Sequence, residues 1–393
     1  MWRLPWTASS VPHAVLDVNR GCNVVCRSCY NTDPPSMKTV RQVDEELSLL
    51  MSARRLHSVS IAGGEPTLHP DLHEIVRLVR RRGLHVELFT NGVLVDENMA
   101  RTLAAAGVDT LVFHIEAGQR RPDLRKADRP DVIRLLEEKA RLATTFDMQA
   151  GMSVTVDAAS LDGLRGLADE FLRSPYLTFC LLTLHMDARQ VSWVSGDIRS
   201  SVYGRHEDRA GTDVAAVELA DVRAALEDTM GLVPFGYLGS NLDPDDPRWL
   251  TYVVATAWPR RGDAVWTSLG VSLLEPFFVA VHRRITGVYP FHQSTSPAKA
   301  VGHVLLNALA GGRAAAGLRL LTSALLGRSH VDLKRILVQR PAQIASDGRV
   351  HHCANCPDAT IRDGHLVPLC LSDRVVSRQV TSVEDSEVRC ASS

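Results

Sequence analysis

The chain has 393 residues, 45% of them hydrophobic, which is enough to bury a core without disulfide bonds. Its 44 Lys and Arg residues nearly balance 45 Asp and Glu residues, and the net charge of −1 gives no sign of the basic surface that binds nucleic acid. The chain has no run of 18 apolar residues and no signal-peptide pattern at its start, so we expect a cytoplasmic protein without a transmembrane segment.

From residue 13 to about 185, short β-branched runs alternate with amphipathic segments, a pattern that predicts βα units around a parallel sheet. The predicted strands are 14–18, 58–62, 85–89, 110–115, 148–156 and 177–184, and the helices between them include 43–54, 72–82, 97–106 and 131–145. Six such units predict an α/β fold with a partial (β/α)6 TIM-like barrel. Functional residues are then expected at the C-terminal ends of the strands.

The pattern changes after about residue 190, where apolar segments at 219–230, 249–257, 265–285 and 301–326 predict a mostly helical insert. The proline-rich segment 243–247 is expected to form a loop and to start a helix. We therefore divide the chain into a barrel (1–190), an insert that closes the substrate cavity (191–345) and a C-terminal metal-binding segment (346–393).

Six of the eight cysteines fall into two groups, and the first group is Cys22, Cys26 and Cys29, directly after the first predicted strand. Three thiolates in a C-x3-C-x2-C loop can hold three irons of a [4Fe-4S] cluster and leave the fourth iron open to a ligand. A structural zinc would need a fourth ligand, and no His or Cys occurs in the next twenty residues. A chance group of buried cysteines is the remaining alternative.

Polar or glycine-rich motifs follow the next three predicted strands. Gly63-Gly64-Glu65-Pro66 follows the second, Thr90-Asn91-Gly92 the third and Glu116 the fourth, while Ser153 and Thr155 lie on the fifth. A glycine pair lets backbone approach a ligand closely, and a carboxylate suits an ammonium group.

This ordered set of motifs resembles the radical SAM superfamily, and the resemblance covers about residues 13 to 185. It implies that Cys22, Cys26 and Cys29 hold a [4Fe-4S] cluster whose open iron binds S-adenosylmethionine (SAM), and that a flavodoxin- or ferredoxin-like donor supplies electrons. The motif starting at Gly63 would contact the methionine amino group. Further SAM contacts are expected from Thr90, Asn91, Glu116, Ser153 and Thr155.

One residue departs from the superfamily pattern. Ser28 stands where an aromatic residue or histidine usually precedes the third cysteine and packs near adenine, and Tyr30 follows that cysteine instead. The resemblance therefore assigns no residue of this loop to adenine.

The second group is Cys353, Cys356 and Cys370, and the natural fourth ligand is Cys390, with His352 or Cys180 as alternatives. A C-x2-C turn with a third cysteine beyond a glycine turn suits an auxiliary iron-sulfur site or a zinc site, and the residues leave this choice open. An iron centre near the barrel mouth could exchange an electron with a substrate radical, whereas zinc would only hold the tail.

The segment from His352 to Asp358 loosely resembles the tail of tetraether-synthase-like radical SAM enzymes, which implies chemistry on unactivated lipid carbons. In the insert, apolar residues from 273 to 281 precede His282, Arg283 and Arg284. Such a surface suits an acyl chain with an anionic head, or contact with a membrane surface, but the same residues also suit the core-facing side of a helix.

We therefore expect hydrogen abstraction from an unactivated carbon, with carbon-carbon bond formation on an apolar or lipid-like small molecule. The alternative reactions are dehydrogenation, epimerisation and peptide crosslinking. A non-catalytic iron-sulfur scaffold or electron carrier is a different class of function, and the motifs at Gly63 and Thr90 argue against it because a scaffold needs no SAM pocket.

Overall fold

The computed structural model describes residues 1–26, 29, 31, 35–117, 119–124, 128–185, 217–258, 263–270, 274–287, 289, 297–310, 314–327, 331–344 and 349–372. They fall into two compact units. The first unit contains the described residues of Pro5–Met148 and of Pro341–Ser393, and the second contains those of Met1–Leu4, Gln149–His185 and Val214–Arg340.

The first unit is built from strands that alternate with helices along the chain. Its elements are β2 (His13–Asn19), α1 (Val40–Ala53), β3 (Ser58–Gly63), α2 (Leu72–Arg81), β4 (His85–Thr90), α3 (Glu97–Ala106), β5 (Thr110–His114) and α4 (Arg129–Thr145). The four strands pair in parallel in the order β5-β4-β3-β2. Their C-terminal ends therefore meet at one edge of the sheet.

Local sequence explains where the helices of this unit begin and end. Thr39, Asp96 and Asp128 each accept a hydrogen bond at a helix start from a backbone N–H two or three residues ahead. Gly107 ends α3 in the left-handed conformation, which costs a residue without a Cβ little. All seven residues of β2 are buried, as expected for a parallel strand covered on both faces.

The second unit continues the alternation and then changes character. It contains β1 (Trp2–Arg3), β6 (Gln149–Val156), α5 (Ala158–Arg173), β7 (Leu177–Leu184), α6 (Leu219–Met230), β8 (Gly236–Gly239), β9 (Pro247–Ala257), β10 (Val265–Ser268), α7 (Glu275–Thr286), α8 (Pro297–Ala310), α9 (Ala314–Gly327) and β11 (Asp332–Gln339). The strand order is β1-β8-β9-β11-β7-β6, with β10 beside β9. Strand β11 runs parallel to β7 and antiparallel to β9.

The predicted α/β class is confirmed, since all six predicted strands and the helices between them are present. The expectation of a mostly helical insert is wrong in part. Segment 249–257 is the strand β9 rather than a helix, the segment starting at Val265 begins as β10, and the strand β11 was not predicted. Segment 301–326 is two helices instead of one.

Segment 249–257 reads as a helix in the sequence because the strand β9 is buried on both faces. The strand is hydrogen-bonded on both sides, to β8 and β11, and nearly all of its residues are buried. Its sequence is therefore apolar at most positions on both faces, and periodicity cannot separate such a strand from a buried helix. Pro247 starts this strand, so the expected helix start after segment 243–247 is also wrong.

The last described residues form two small hairpins in the first unit. Strand β12 (Gln343–Ile344) pairs with β13 (Val350–His351), and β14 (Ala359–Arg362) pairs with β15 (His365–Pro368). Asp363 and Gly364, both with positive φ, form the tight turn of the second hairpin. The glycine turn predicted at this place is confirmed.

Candidate cofactor site

The loops after β2 and β3 pack directly on each other at the C-terminal edge of the first unit. Gly64 N donates to Asn19 O at 2.7 Å, and Glu65 N donates to Gly21 O at 2.8 Å. A Cβ atom on Gly63 would lie 2.3 Å from Asn19 O, and one on Gly64 would lie 2.2 Å from Gly21 O. Only glycine fits at these two positions, so the glycine pair holds the segment that leads into Cys22.

Glu65 is fully buried, and its carboxylate joins the loops after β3 and β4. Oε1 accepts hydrogen bonds from Thr67 N at 3.0 Å, from Thr67 Oγ1 at 2.6 Å and from Thr90 Oγ1 at 2.7 Å. Oε2 accepts from Asn91 N at 2.7 Å. Pro66 begins a single 3₁₀ turn, Pro66–Leu68, that Glu65 caps. Four donors of the protein thus already bind this carboxylate.

Asn91 links the loop after β4 to the first cysteine. Its side-chain Nδ2 donates to Asn23 Oδ1 at 2.7 Å and lies 3.8 Å from Cys22 Sγ. Its Oδ1 accepts from Val93 N at 3.0 Å, which fixes the orientation of the amide. A side-chain N–H therefore points at the Cys22 sulfur.

His114 at the end of β5 and Gln119 after it contact the second cysteine, whereas the sequence pointed only to Glu116, which contacts His114. His114 Nε2 lies 3.4 Å from Glu116 Oε1. Burial lowers the pKa of His114, but Glu116 and Cys26 outweigh burial and raise it well above its usual value. The Gln119 side chain donates from Nε2 to Cys26 Sγ at 3.3 Å and to His114 O at 3.0 Å.

Arg121 holds Gln119 in this orientation. Its NH1 donates to Gln119 Oε1 at 2.9 Å, and its NH2 donates to Asn91 O at 2.8 Å. Asp123 binds the guanidinium from the other side, with distances of 2.6 and 2.9 Å. Arginine can only donate, so the amide oxygen must face Arg121 and the amide nitrogen must face Cys26. In the sequence, the run of polar residues after β5 is the pattern that could have pointed to Gln119 and Arg121 as site residues.

The cysteine loop has the donor set of an iron-sulfur site. Burial raises the pKa of Cys22, so a nearby cation is needed to keep its sulfur as a thiolate at neutral pH. Side-chain N–H groups at Cys22 and Cys26 suit metal-bound thiolates, which accept hydrogen bonds. Among the described residues, no three His, Cys, Asp or Glu side chains are grouped so as to hold a metal ion.

Two further predicted SAM contacts, Ser153 and Thr155, belong to the second unit, and the two residues that depart from the superfamily pattern lie outside the described residues. Ser153 and Thr155 are on β6 in the second unit, where Ser153 is buried and Thr155 is half-buried. Ser28 and Tyr30 lie outside the described residues.

The second cysteine group lies in the first unit, where Cys353 and Cys356 connect the two C-terminal hairpins and Cys370 follows the second hairpin. Cys353 and Cys356 are buried, and their thiols are hydrogen-bonded to each other. Asn355 Nδ2 donates to Trp6 O at 2.9 Å, which holds the turn between them. Leu369 N donates to Asp358 O at 2.7 Å, so the hairpin returns Cys370 to the neighbourhood of Asp358.

A buried cation, Arg54, accompanies this group. Its NH1 donates to His13 O at 3.1 Å, and its Nε has no hydrogen-bond partner among the described residues. Burial lowers the pKa of Arg54 to about 10, while Cys356 and Asp358 favour its charged form. Burial, together with Glu87, raises the pKa of Asp358 to about 7. A buried guanidinium beside thiols suits a metal centre that carries net negative charge.

The two cysteine groups lie at opposite ends of β2. Arg54 contacts His13 at the start of this strand, and Cys22 follows its end. Seven extended residues place the two ends roughly 20 Å apart. The expectation that the second group lies near the barrel mouth is therefore wrong.

The candidates for a fourth ligand of this group differ in their placement. Cys390 lies outside the described residues. His352 Nδ1 lies 3.0 Å from Cys353 O, so its ring is adjacent to the group. Cys180 is buried in β7 of the second unit, where burial raises its pKa.

Residues 16–148 match the family model described as the radical SAM superfamily. The chain carries a radical SAM domain. It is 33% identical over 118 residues to 7,8-dihydro-6-hydroxymethylpterin dimethyltransferase of Methanocaldococcus jannaschii, which is 28% of this chain and 23% of that protein. It is also 33% identical over 115 residues to GTP 3′,8-cyclase of Chlorobaculum tepidum, which is 28% of this chain and 34% of that protein.

These alignments span only about a quarter to a third of the relatives. Among solved structures, SuiB of Streptococcus suis bound to the precursor peptide SuiA aligns with 58% of this chain and 52% of that one, with a TM-score of 0.38 and 14% identity. The radical SAM domain implies a [4Fe-4S] cluster and SAM as cofactors, and the superfamily relatives are enzymes that include cyclases and methyltransferases.

Proposed function

We propose that the chain is a radical SAM enzyme that cleaves SAM reductively at a [4Fe-4S] cluster held by Cys22, Cys26 and Cys29. The observation that supports this most strongly is the pair of amide N–H groups, from Asn91 and Gln119, directed at the sulfurs of Cys22 and Cys26. When bound, the cluster and SAM supply an electron and a carbon radical able to abstract hydrogen from an unactivated carbon.

The protein's own residues position the cofactors in this proposal. Gly63 and Gly64 allow the loop after β3 to lie against the cysteine segment, and backbone in this loop can approach the SAM amino group. Glu65 holds this loop to the loop after β4, and with four bound donors it acts chiefly as a positioning residue. Glu116, whose carboxylate lies 3.4 Å from His114 Nε2, is at the same edge and would contact the SAM ribose or carboxylate.

For the reaction itself, we propose carbon-carbon bond formation on an apolar or lipid-like small molecule, with a flavodoxin- or ferredoxin-like electron donor. Dehydrogenation, epimerisation and peptide crosslinking are the alternatives, and the relatives' names alone span cyclisation and methyl transfer. Exposed apolar side chains on α7 of the second unit support the apolar substrate class.

We also propose a second metal centre at Cys353, Cys356 and Cys370, with a fourth ligand from Cys390 or His352. The buried Arg54 guanidinium, whose Nε is unpartnered among the described residues, supports an anionic thiolate centre. Its place at the opposite end of β2 from Cys22 favours a role in holding the C-terminal segment rather than in the chemistry.

The test is to change Cys22, Cys26 and Cys29 together to Ala and to measure iron, sulfide and 5′-deoxyadenosine after anaerobic dithionite reduction. We expect loss of one [4Fe-4S] cluster and at least a hundredfold loss of 5′-deoxyadenosine, because no other group of the site supplies an open iron. Cys180→Ala, a buried cysteine of the second unit, is the matched control. A triple variant that still forms 5′-deoxyadenosine would contradict the assignment, and an intact cluster without SAM cleavage in the wild type would indicate a scaffold.

A further inference from the structure

Helix α7 exposes an apolar stripe. Leu274, just before the helix, and Phe277, Val281 and Ile285 within it are 51%, 70%, 38% and 78% exposed. At 100° per residue these four side chains lie within an arc of about 80°, so they share one face. Val279, on the opposite side of the helix, is buried, and the Phe278 ring, beside the stripe, packs edge-on against His303 of α8. Of the apolar run from 273 to 281, Leu274, Phe277 and Val281 are exposed, so the core-facing alternative is wrong for these three residues.

The exposure extends to the next two helices. Of the thirteen exposed large hydrophobic residues in the described part of the chain, seven lie between 274 and 325, and the four most exposed are all among them. Besides the stripe on α7, these are Leu305 on α8 and Leu318 and Leu325 on α9. Scattered exposed apolar residues need no explanation, but such a concentration marks an interaction surface.

The same stretch carries an excess of positive charge. Between Asp263 and Asp332 the sequence has six basic residues and one acidic residue, Glu275, for a net charge of +5 in a chain whose net charge is −1. Among the basic residues, Arg284 is exposed at the edge of the apolar stripe, and Arg319 is exposed on α9. A second copy of this surface would be repelled by like charge, whereas an anionic surface would be attracted.

We propose that α7, supported by α8 and α9, binds the surface of an anionic lipid bilayer. The apolar stripe enters the boundary between headgroups and acyl chains, and the arginines contact lipid phosphates, as in helices that lie in the plane of a membrane. No helix in the described part of the chain is long and apolar enough to cross a bilayer, so the contact is superficial. This inference is independent of the proposed chemistry and would bring the protein to a source of lipid-like molecules.

The experiment is sedimentation of the full chain with vesicles of phosphatidylcholine alone or mixed equally with phosphatidylglycerol. The wild type is expected to bind the anionic vesicles at least tenfold more tightly than the neutral ones. Phe277→Ser combined with Ile285→Ser should lower binding to anionic vesicles at least tenfold, and Arg284→Gln should lower it roughly fivefold at low salt. Leu49→Ser, at an exposed apolar residue of α1 in the first unit, is the matched control and should bind as the wild type does.

Circular dichroism and SAM binding show whether each variant is folded. Vesicle binding is measured without any catalytic turnover, so its result does not depend on whether the proposed reaction is right. Equal binding to both vesicle types, no binding to either, or unchanged binding of the double variant would overturn the proposal. A wild type that is dimeric and a double variant that is monomeric, with neither binding vesicles, would assign this surface to self-association instead.

Discussion

Glu65 shows how a motif residue can serve a cofactor without being free to bind it. Its two carboxylate oxygens accept four hydrogen bonds from Thr67, Thr90 and Asn91 in a fully buried setting. The residue thus ties the turn after β3 to the turn after β4. The sequence-based expectation that this carboxylate pairs with the methionine ammonium remains a prediction, and the existing donors leave at most one acceptor position on Oε2.

We predict that Glu65→Gln lowers SAM affinity at least tenfold and lowers the free energy of unfolding by about 1–3 kcal/mol, with iron content unchanged. The substituted NH₂ group must face a donor, either Asn91 N–H or the group of Thr67 and Thr90 donors. Equilibrium dialysis with SAM, colorimetric iron and urea unfolding measure the three effects. Glu97→Gln on the exposed face of α3 is the control. Lost SAM binding at unchanged stability would show that Glu65 contacts SAM directly, and lost iron would place it in support of the cysteine loop.

At the scale of elements, Lys334 joins α5, β7 and β11 within the second unit. This buried lysine donates from Nζ to Phe171 O at 2.7 Å, to Ser174 O at 2.5 Å and to Leu177 O at 2.7 Å. The ammonium also lies 4.9 Å from the centre of the Phe171 ring. It thereby satisfies carbonyls at the C-terminal end of α5 that would otherwise be buried without donors.

Lys334→Met, which keeps the volume but removes the donors, is expected to lower the free energy of unfolding by about 3 kcal/mol in urea titrations. Arg165→Met, on the exposed face of α5, should change it by less than about 0.5 kcal/mol. A loss below about 1 kcal/mol for Lys334→Met would show that water replaces the ammonium at these carbonyls.

The difference in free energy of unfolding between the wild type and Lys334→Met is expected to depend on pH. Burial lowers the pKa of Lys334 to about 7, below its value in the unfolded chain. The unfolded chain then binds more protons than the folded one above this pH, so the contribution of Lys334 to stability rises with pH. The difference between wild type and Lys334→Met should widen from about pH 7 to about pH 9. A difference that stays constant would mean that the three carbonyls keep the ammonium protonated throughout this range.

At the scale of the whole molecule, the C-terminal segment returns to the strand that begins the first unit. Arg362 of β14 lies 3.1 Å from Asp17 of β2, and Asn355 contacts the backbone of Trp6. The C-terminal segment thus contacts the stretch before β2 through Asn355 and β2 itself through Arg362. The proposed ligands Cys353, Cys356 and Cys370 all lie in the C-terminal segment, so a metal at this place would fix this segment, whose contacts reach residues more than 300 positions away in sequence.

We predict that the variant lacking Cys22, Cys26 and Cys29 retains metal at the second group. We also predict that Cys353, Cys356 and Cys370 changed together to Ala lose this metal and unfold at lower temperature. Elemental analysis and thermal unfolding are the measurements. Residual zinc is the result expected for a structural clamp, and residual iron with thiolate charge-transfer absorption would indicate a redox centre. Absence of residual metal from the first variant would contradict a second site.

The sequence by itself determined the parallel part of the fold and the position of its motifs. Alternating apolar runs and helix caps are local signals, so the strands from β2 to β7 and the helices from α1 to α4 were predicted within a few residues. Glycine pairs, cysteine spacing and the order of the motifs likewise depend only on neighbouring residues. The loop after β3, the loop after β4 and the cysteine segment were therefore expected at one edge, where the structure has them.

Only the tertiary structure decided features that depend on partners distant in the chain. The strand β9 is mostly apolar because it is hydrogen-bonded between β8 and β11, and no local period distinguishes it from a buried helix. Gln119 became recognisable as a donor to Cys26 only after Arg121 fixed its amide. The position of Cys353 and Cys356 near Arg54, and the exposure of the apolar face of α7, follow from packing between segments, which no short stretch of sequence encodes.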